Sequence, residues 1–148
     1  MTSQLSVGFG GGVSEGIGQH TIDLTLRNTS STTCSIDGYP GIALLGADGA
    51  ILPFEYQRGG DQMTTSAPPQ PVGLTPGGVA YIRINKYRCD IGDKAAPMSV
   101  QVIAPNDTTS TKLAFAGQTD MSYCGAGDPG SVLHISPVEP TEAATNAG

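Results

Sequence analysis

The sequence predicts an all-β domain, specifically an immunoglobulin-like antiparallel β-sandwich. Apolar and polar residues alternate with a period of two in many short runs, and turn residues separate these runs. Charged residues make up only 14% of the chain, against about a quarter in an average soluble domain. The 21 glycines and 11 prolines disfavour helix. The chain has no Trp, so it lacks a hallmark of antibody domains. The term immunoglobulin-like therefore describes the architecture only.

The first half of the chain is predicted to contain five strands. The clearest is residues 21–26, where Ile22, Leu24 and Leu26 alternate with polar residues and indicate one buried and one wet face. Asp48-Gly49 is typical of a hairpin turn. Pro53 cannot donate to a ladder, so its strand is expected at a sheet edge. The predicted strands are residues 5–9, 21–26, 33–36, 42–45 and 51–54.

The second half is predicted to contain five more strands and one long exposed loop. Residues 57–71 are polar and contain three prolines, which indicates the loop. The predicted strands are residues 72–74, 79–84, 98–103, 112–115 and 132–135, with the third and fourth forming a hairpin. Residues 1–138 are expected to form a single domain. Residues 139–148 are rich in Ala, Thr, Glu and Pro, which predicts a disordered tail.

Charge and hydropathy narrow the possible partners and compartments. The net charge is −6, and Lys and Arg total only seven, which disfavours nucleic acid and anionic membrane surfaces as partners. No stretch approaches the length of about 20 apolar residues that a spanning helix needs. No signal peptide follows Met1. We expect a secreted or cell-envelope protein whose export signal has been removed, with membrane attachment only through a lipid anchor.

The three cysteines, Cys34, Cys89 and Cys124, allow at most one intramolecular disulfide. Cys89 and Cys124 lie in irregular segments that a cross-link would hold together, so we predict this pair, worth about 4 kcal/mol by loop closure. Such a bond indicates an oxidising compartment. Three free thiols in a cytosolic protein are the alternative. A metal site is disfavoured because no two cysteines have ligand-pair spacing.

Two motifs resemble a known family. Residues 28–41 contain an Asn-Thr-Ser run, Cys34 and the segment Gly38-Tyr39-Pro40-Gly41, and residues 74–80 have the pattern L-x-P-G-G-x-A. Over residues 5–138 the chain is similar to the domain of unknown function 4232 family, exported domains that include mycobacterial and streptomycete lipoproteins. The resemblance implies an exported β-sandwich without an established enzyme activity. It also implies a further cysteine before the first strand to pair with Cys34, but residues 1–4 contain none.

Candidate catalytic groups are scattered in the sequence. The two histidines, His20 and His134, fall in or next to predicted strands, and no G-x-S-x-G elbow marks a nucleophile. Asp90 and Asp93 lack the full ligand run of a calcium loop. We therefore predict no catalytic residue, no metal site and no cofactor.

Tyr39 and Pro40 are the candidate contact residues. A Tyr beside a rigid Pro turn offers a large contact area at low entropy cost. The alternative is that Tyr39 packs inward and caps a backbone group, as in a tyrosine corner. The sequence thus predicts a non-enzymatic domain that binds a protein, lipid or glycan. A loop-based hydrolase or metal-dependent enzyme and a structural spacer are the alternatives.

Overall fold

The computed structural model describes residues 4–11, 16–117 and 119–147, and this part of the chain is all-β with ten strands. They are β1 Leu5–Phe9, β2 Gln19–Asn28, β3 Cys34–Ile36, β4 Gly41–Leu45, β5 Glu55–Arg58, β6 Val72–Leu74, β7 Val79–Tyr87, β8 Ser99–Ile103, β9 Ser110–Ala114 and β10 Val132–Ile135. Two short 3-10 helices, Pro129–Ser131 and Ala143–Thr145, complete the structure. Within the described residues, no helix has the length and apolar character to span a membrane.

The strands form three sheets. One has five strands in the order β1-β2-β7-β10-β5, one has three in the order β4-β8-β9, and β3 pairs with β6. The predicted hairpin of residues 98–103 and 112–115 is confirmed by the pairing of β8 with β9. The prediction of purely antiparallel pairing was wrong in one place, because β5 runs parallel to β10. This pairing is possible because the two strands are joined by a long stretch of chain rather than by a tight turn.

The core lies between the sheets and is made from alternate residues of the strands. Ile22, Leu24 and Leu26 of β2 and Ile82 and Ile84 of β7 face inward and are buried. They pack with apolar residues of the other two sheets in one cluster. The arrangement is consistent with a β-sandwich, in which facing sheets bury their alternate side chains.

The outer face of the five-stranded sheet is covered rather than wet. Asp23 is 3% exposed, Arg83 5% and Asn85 0%, although all three alternate with core residues. Residues 59–67 and 139–147 lie over this face: the Arg83 guanidinium donates to the Met63 carbonyl at 3.1 Å and to the Asn146 side chain. The outer face is therefore a second, polar interior.

The prediction of a disordered tail at residues 139–148 was wrong for residues 139–147, and residue 148 lies outside the described part. Glu139 pairs with Tyr81 of β7 through two backbone hydrogen bonds of 2.8 and 2.9 Å. The Thr65 amide donates to the Thr145 carbonyl at 2.8 Å, and Thr145 is fully buried. Composition misled the prediction because backbone hydrogen bonds, rather than apolar side chains, hold this segment.

The exposed loop predicted over residues 57–71 is only partly present. Its first residues belong to β5, and Thr64 and Thr65 are buried. The strand predicted over residues 51–54 is reduced to one bridge between Ile51 and Leu45. Pro53 precedes β5, which is an edge strand of its sheet.

Candidate functional site

Four polar side chains form a row across the outer face of the five-stranded sheet. Gln57 of β5 pairs in register with His134 of β10, His134 pairs with Asn85 of β7, and Asn85 pairs with Thr21 of β2. Neighbouring residues in these strands, such as Leu133 and Ile84, point into the core. Strand alternation therefore places all four of the polar side chains on the outer side.

The row borders a concave site of about 360 Å³, which we call the polar cleft. Its size falls within the range of small-molecule pockets, roughly 300–1,000 Å³. It is lined by Gln19, Gln57, Asp61, Gln62, Tyr87, Pro129, Val132 and His134. Four of these residues offer amide or imidazole groups, and the Tyr87 ring and Pro129 offer apolar surface.

Asn85 fixes the floor of the polar cleft. Its Nδ2 donates to Oε1 of Gln19 at 2.8 Å and to Oδ2 of Asp61 at 2.7 Å. Its Oδ1 accepts from the Thr21 hydroxyl at 2.5 Å. Gln19 in turn donates to the Gln62 side chain at 3.2 Å. Because every polar atom of the buried Asn85 side chain is used, the floor is rigid before any ligand arrives.

The charge on Asp61 is already bound within the protein. Its Oδ1 accepts from the backbone amides of Met63 and Thr64, each at 2.9 Å, while Oδ2 takes the Asn85 amide. Of the described residues, no Lys or Arg lines the cleft. The polar cleft thus presents neutral hydrogen-bonding groups and lacks the cations that an anionic ligand would need.

His134 carries a buried hydrogen-bonding atom that has no partner among the described residues. This atom is Nδ1 of the imidazole. Leaving such a group unpaired costs about 1–3 kcal/mol.

A disulfide joins Cys89 and Cys124, as the sequence predicted, with the Cα atoms 5.4 Å apart. Asp128 reinforces this link, because its carboxylate accepts from the amides of Ile91 at 2.9 Å and Gly130 at 2.8 Å. The Ile91 amide is the main reason that the pKa of Asp128 lies below its ordinary value. Together these bonds tie the segment after β7 to the 3-10 helix that carries Pro129.

A buried lysine lies beside the disulfide. Lys86 is 1% exposed, and its Nζ is 3.9 Å from the Cys89 sulfur. Burial lowers the pKa of Lys86, and the carboxylates of Asp120, Asp93 and Asp128 act in the opposite direction. Lys86 thus supplies the positive charge that interacts with these three carboxylates.

Two of these acids behave as a pair. Burial and then the hydrogen bond with Asp120 raise the pKa of Asp93. The pKa of Asp120 is lowered: burial acts to raise it, but hydrogen bonds from Ser122 and Asp93 outweigh that effect. Asp93 is therefore the carboxyl of the pair that is protonated first as the pH falls.

The two predicted contact residues lie outside the polar cleft. Pro40 is buried and Tyr39 is half-buried, with the Arg58 guanidinium 5.4 Å above its ring. A hydrogen bond of the tyrosine-corner type occurs instead at Tyr56, whose hydroxyl donates to the Leu52 carbonyl at 2.7 Å. A partner contact through Tyr39 and Pro40 stays a prediction.

The histidines lie in different surroundings. His20 Nδ1 is 2.9 Å from the Thr119 hydroxyl, on the side of β2 that carries Ile22 and away from the cleft. The structure shows no hydrogen bond from either histidine to a carboxylate among its described residues. In that same part of the chain, no group of three or more His, Cys, Asp or Glu has the spacing to hold a metal ion.

Free Cys34 lies on β3, half-buried. The sequence reasoning missed Gln19, Gln57, Gln62 and Asn85. Gln19, Gln57 and Asn85 are polar residues at alternate strand positions, which also describes an ordinary solvent-exposed face, and Gln62 lies in an irregular segment.

A family of known sequences matches the chain. The family described as "Domain of unknown function (DUF4232)" matches residues 1–139. No curated protein and no solved structure matches the chain.

Proposed function

The chain belongs to the DUF4232 family of domains of unknown function, and on that premise we propose that it is a non-enzymatic binding domain whose polar cleft holds a neutral sugar. The observation that carries the proposal is the amide, imidazole and tyrosine lining of the cleft. Its sources are Gln57, Gln62, His134 and Tyr87. These groups converge on one concave site of suitable size.

Hydroxyl-bearing ligands match this lining in hydrogen-bonding capacity. A side-chain amide offers two donors and a carbonyl acceptor, and a sugar hydroxyl both donates and accepts. Gln57 and Gln62 are exposed at the cleft, so the Gln57 amide and the Gln62 amide nitrogen can exchange water for ligand, while the Gln62 carbonyl already accepts from Gln19. Because these groups are neutral, the same lining does not favour phosphate or carboxylate.

Tyr87 supports a sugar over a wholly polar ligand. Tyr87 is 36% exposed, and its aromatic ring lies at one wall of the cleft with the Arg88 guanidinium 5.5 Å from the ring centroid on one face and Pro129 also in the lining. The C–H groups of a pyranose form an apolar face that such a ring covers, while the hydroxyls reach the amides. A purely apolar lipid chain would leave those amides unpaired.

We propose a secreted or cell-envelope location for the domain. The Cys89–Cys124 disulfide supports it, because such bonds persist in oxidising compartments. The resemblance to exported actinobacterial lipoproteins adds a lipid anchor to this proposal. We also propose immunoglobulin-like connectivity, supported by the separation of β1, β2, β7 and β10 from β4, β8 and β9 into two sheets.

The test is binding of uncharged sugars to the oxidised domain. Glucose, galactose, N-acetylglucosamine and their β-linked dimers are titrated while amide and side-chain NH₂ resonances are recorded by NMR. Binding should shift the side-chain signals of Gln57 and Gln62. Replacing Gln57 with Ala should weaken binding by about 3- to 10-fold, the value of one hydrogen bond.

The control for Gln57→Ala is Gln101→Ala. Gln101 lies on β8 of the three-stranded sheet, so its loss should leave sugar affinity unchanged. His134→Leu should abolish binding while the melting temperature stays the same or rises, since the unpaired Nδ1 is removed. If no sugar shifts the cleft signals at millimolar concentration, or if Gln101→Ala weakens binding as much as Gln57→Ala, the proposal is wrong.

A further inference from the structure

A second concave site adjoins the polar cleft. It encloses about 440 Å³ and is lined by Pro53, Phe54, Glu55, Ala126, Gly127, Asp128, Pro129, Ser131 and Val132. We call it the side cleft. Pro129 and Val132 line both sites, so the two clefts adjoin at these two side chains.

The two clefts follow the same pair of strands. Val132 pairs in register with Glu55, and His134 pairs with Gln57. Residues two apart in a strand face the same side, so Glu55 and Gln57 both point outward. They are separated by about 7 Å along the strand. The clefts therefore form one groove that runs along β5 and β10.

The side cleft resembles the polar cleft in lacking cations but has a carboxylate rather than amides as its free polar group. Of the described residues, no Lys or Arg lines it. The Asp128 carboxylate is occupied by backbone amides, which leaves the exposed Glu55 carboxylate as its acceptor for ligand hydroxyls. Phe54, Ala126 and the two prolines supply apolar surface.

We propose that this groove holds consecutive units of a linear, uncharged oligosaccharide, one unit in each cleft. The inference rests on the proposed function of the polar cleft and adds the size of the ligand. Pro129 and Val132 would lie beneath the linkage between the two units. Their neutral, apolar side chains suit a glycosidic bond, which has no donor of its own to satisfy.

The test compares chain lengths at constant chemistry. N-acetylglucosamine and its β-1,4-linked dimer and trimer, and glucose with the matching cello-oligosaccharides, are titrated by calorimetry. In the series that binds, the dimer should bind at least about tenfold more tightly than the monomer, because the second unit adds contacts without a second independent association.

Filling the side cleft should remove this gain. Ala126 is exposed on the rim of the side cleft, so Ala126→Tyr should return the dimer to monomer affinity and leave the monomer unchanged. Ala47→Tyr, at an exposed turn away from the groove, is the matched control. Glu55→Ala is the second variant, for the case in which Ala126→Tyr does not fold. It should reduce the gain in affinity from monomer to dimer by about threefold or more.

The outcomes separate the two proposals. If monomer and dimer bind with equal affinity, the groove inference is wrong and the polar cleft remains a sugar site. If Ala126→Tyr and Glu55→Ala both leave the dimer gain intact, the second unit lies elsewhere and the inference is also wrong. If neither monomer nor oligomer binds, the proposed function itself fails.

Discussion

The two faces of β2 and β7 are both buried, yet they are built from opposite kinds of residue. The inner face carries Leu24 and Ile82, each fully buried among apolar neighbours. The outer face carries Asp23 and Arg83, joined by hydrogen bonds of 2.7 and 2.9 Å. One pair of strands thus separates an apolar interior from a polar one.

The kind of residue on each face matches the part of the chain that covers that face. The inner face meets other sheets, whose apolar side chains gain by leaving water. The outer face meets irregular chain at residues 59–67 and 139–147, whose backbone groups need hydrogen-bond partners. Arg83 meets this need at the Met63 carbonyl, and it also donates to the Asn146 side chain. The covering segment of residues 59–67 reaches the polar cleft, which Asp61 and Gln62 line.

Removing one member of the buried ion pair should have the largest effect. Arg83→Met leaves Asp23 buried without its partner, and we expect a loss of about 3–5 kcal/mol in the free energy of unfolding. Leu24→Ala on the inner face should cost a similar amount, about 3–5 kcal/mol, by leaving a cavity. Urea unfolding of each variant measures the two losses in the free energy of unfolding.

The two faces should also differ in whether a second substitution restores the lost stability. Adding Asp23→Leu to Arg83→Met removes the stranded charge and should recover at least half of the lost stability. No second substitution on the same strands should rescue Leu24→Ala in this way, because the lost volume has to be refilled. If the double variant is as unstable as Arg83→Met alone, the ion pair does not explain the outer face.

The apolar interior could be predicted from sequence, whereas the polar one could not. Alternation identified Ile22, Leu24 and Leu26 as core residues, and the structure confirms them. The same alternation predicted a wet face for Thr21 and Asp23, which are buried. A period of two gives the side to which a residue points but not whether another segment covers that side.

The polar cleft could not be predicted from the sequence, for a related reason. Gln57, Asn85 and His134 become neighbours only through pairings between strands that are far apart in sequence, including the parallel pairing of β5 with β10. No short motif records such pairings. The disulfide was predictable, because an odd count of cysteines and two irregular segments left few choices.

Removing the covering segment should have the next largest effect. A chain ending at residue 138 loses the backbone bonds between Glu139 and Tyr81 and the bond from Thr65 to Thr145. At about 0.5–1.5 kcal/mol for each hydrogen bond, we expect a loss of about 2–4 kcal/mol. Thermal unfolding measures this loss, and amide hydrogen exchange should rise at Tyr81, whose amide donates to the Glu139 carbonyl, more than at Leu24.

A chain ending at residue 147 is the control for this truncation and should match the full chain. An unchanged melting temperature for the chain ending at 138 would mean that residues 139–147 do not stabilise the outer face. Exchange that rose equally on both faces would mean that the two interiors unfold together rather than separately.

The smallest expected effect concerns one buried carboxyl group in the polar interior. Glu139 is 2% exposed, its Oε1 has no partner among the described residues, and burial raises its pKa above the ordinary value. The folded state therefore holds this proton more tightly than the unfolded state does. The resulting stability is present at acid pH and is lost as the pH rises through the raised pKa.

Glu139→Gln should remove this penalty, because an amide stays neutral at every pH. We expect the variant to be more stable than the natural chain by about 1 kcal/mol at pH 7, with little difference below the ordinary glutamate pKa, where both side chains are neutral. Urea unfolding from pH 4 to 7 measures the difference, with Glu55→Gln at an exposed position as control. A gain that is the same at every pH would assign the effect to packing instead, since only a titrating carboxyl makes the outer face sensitive to acid in this way.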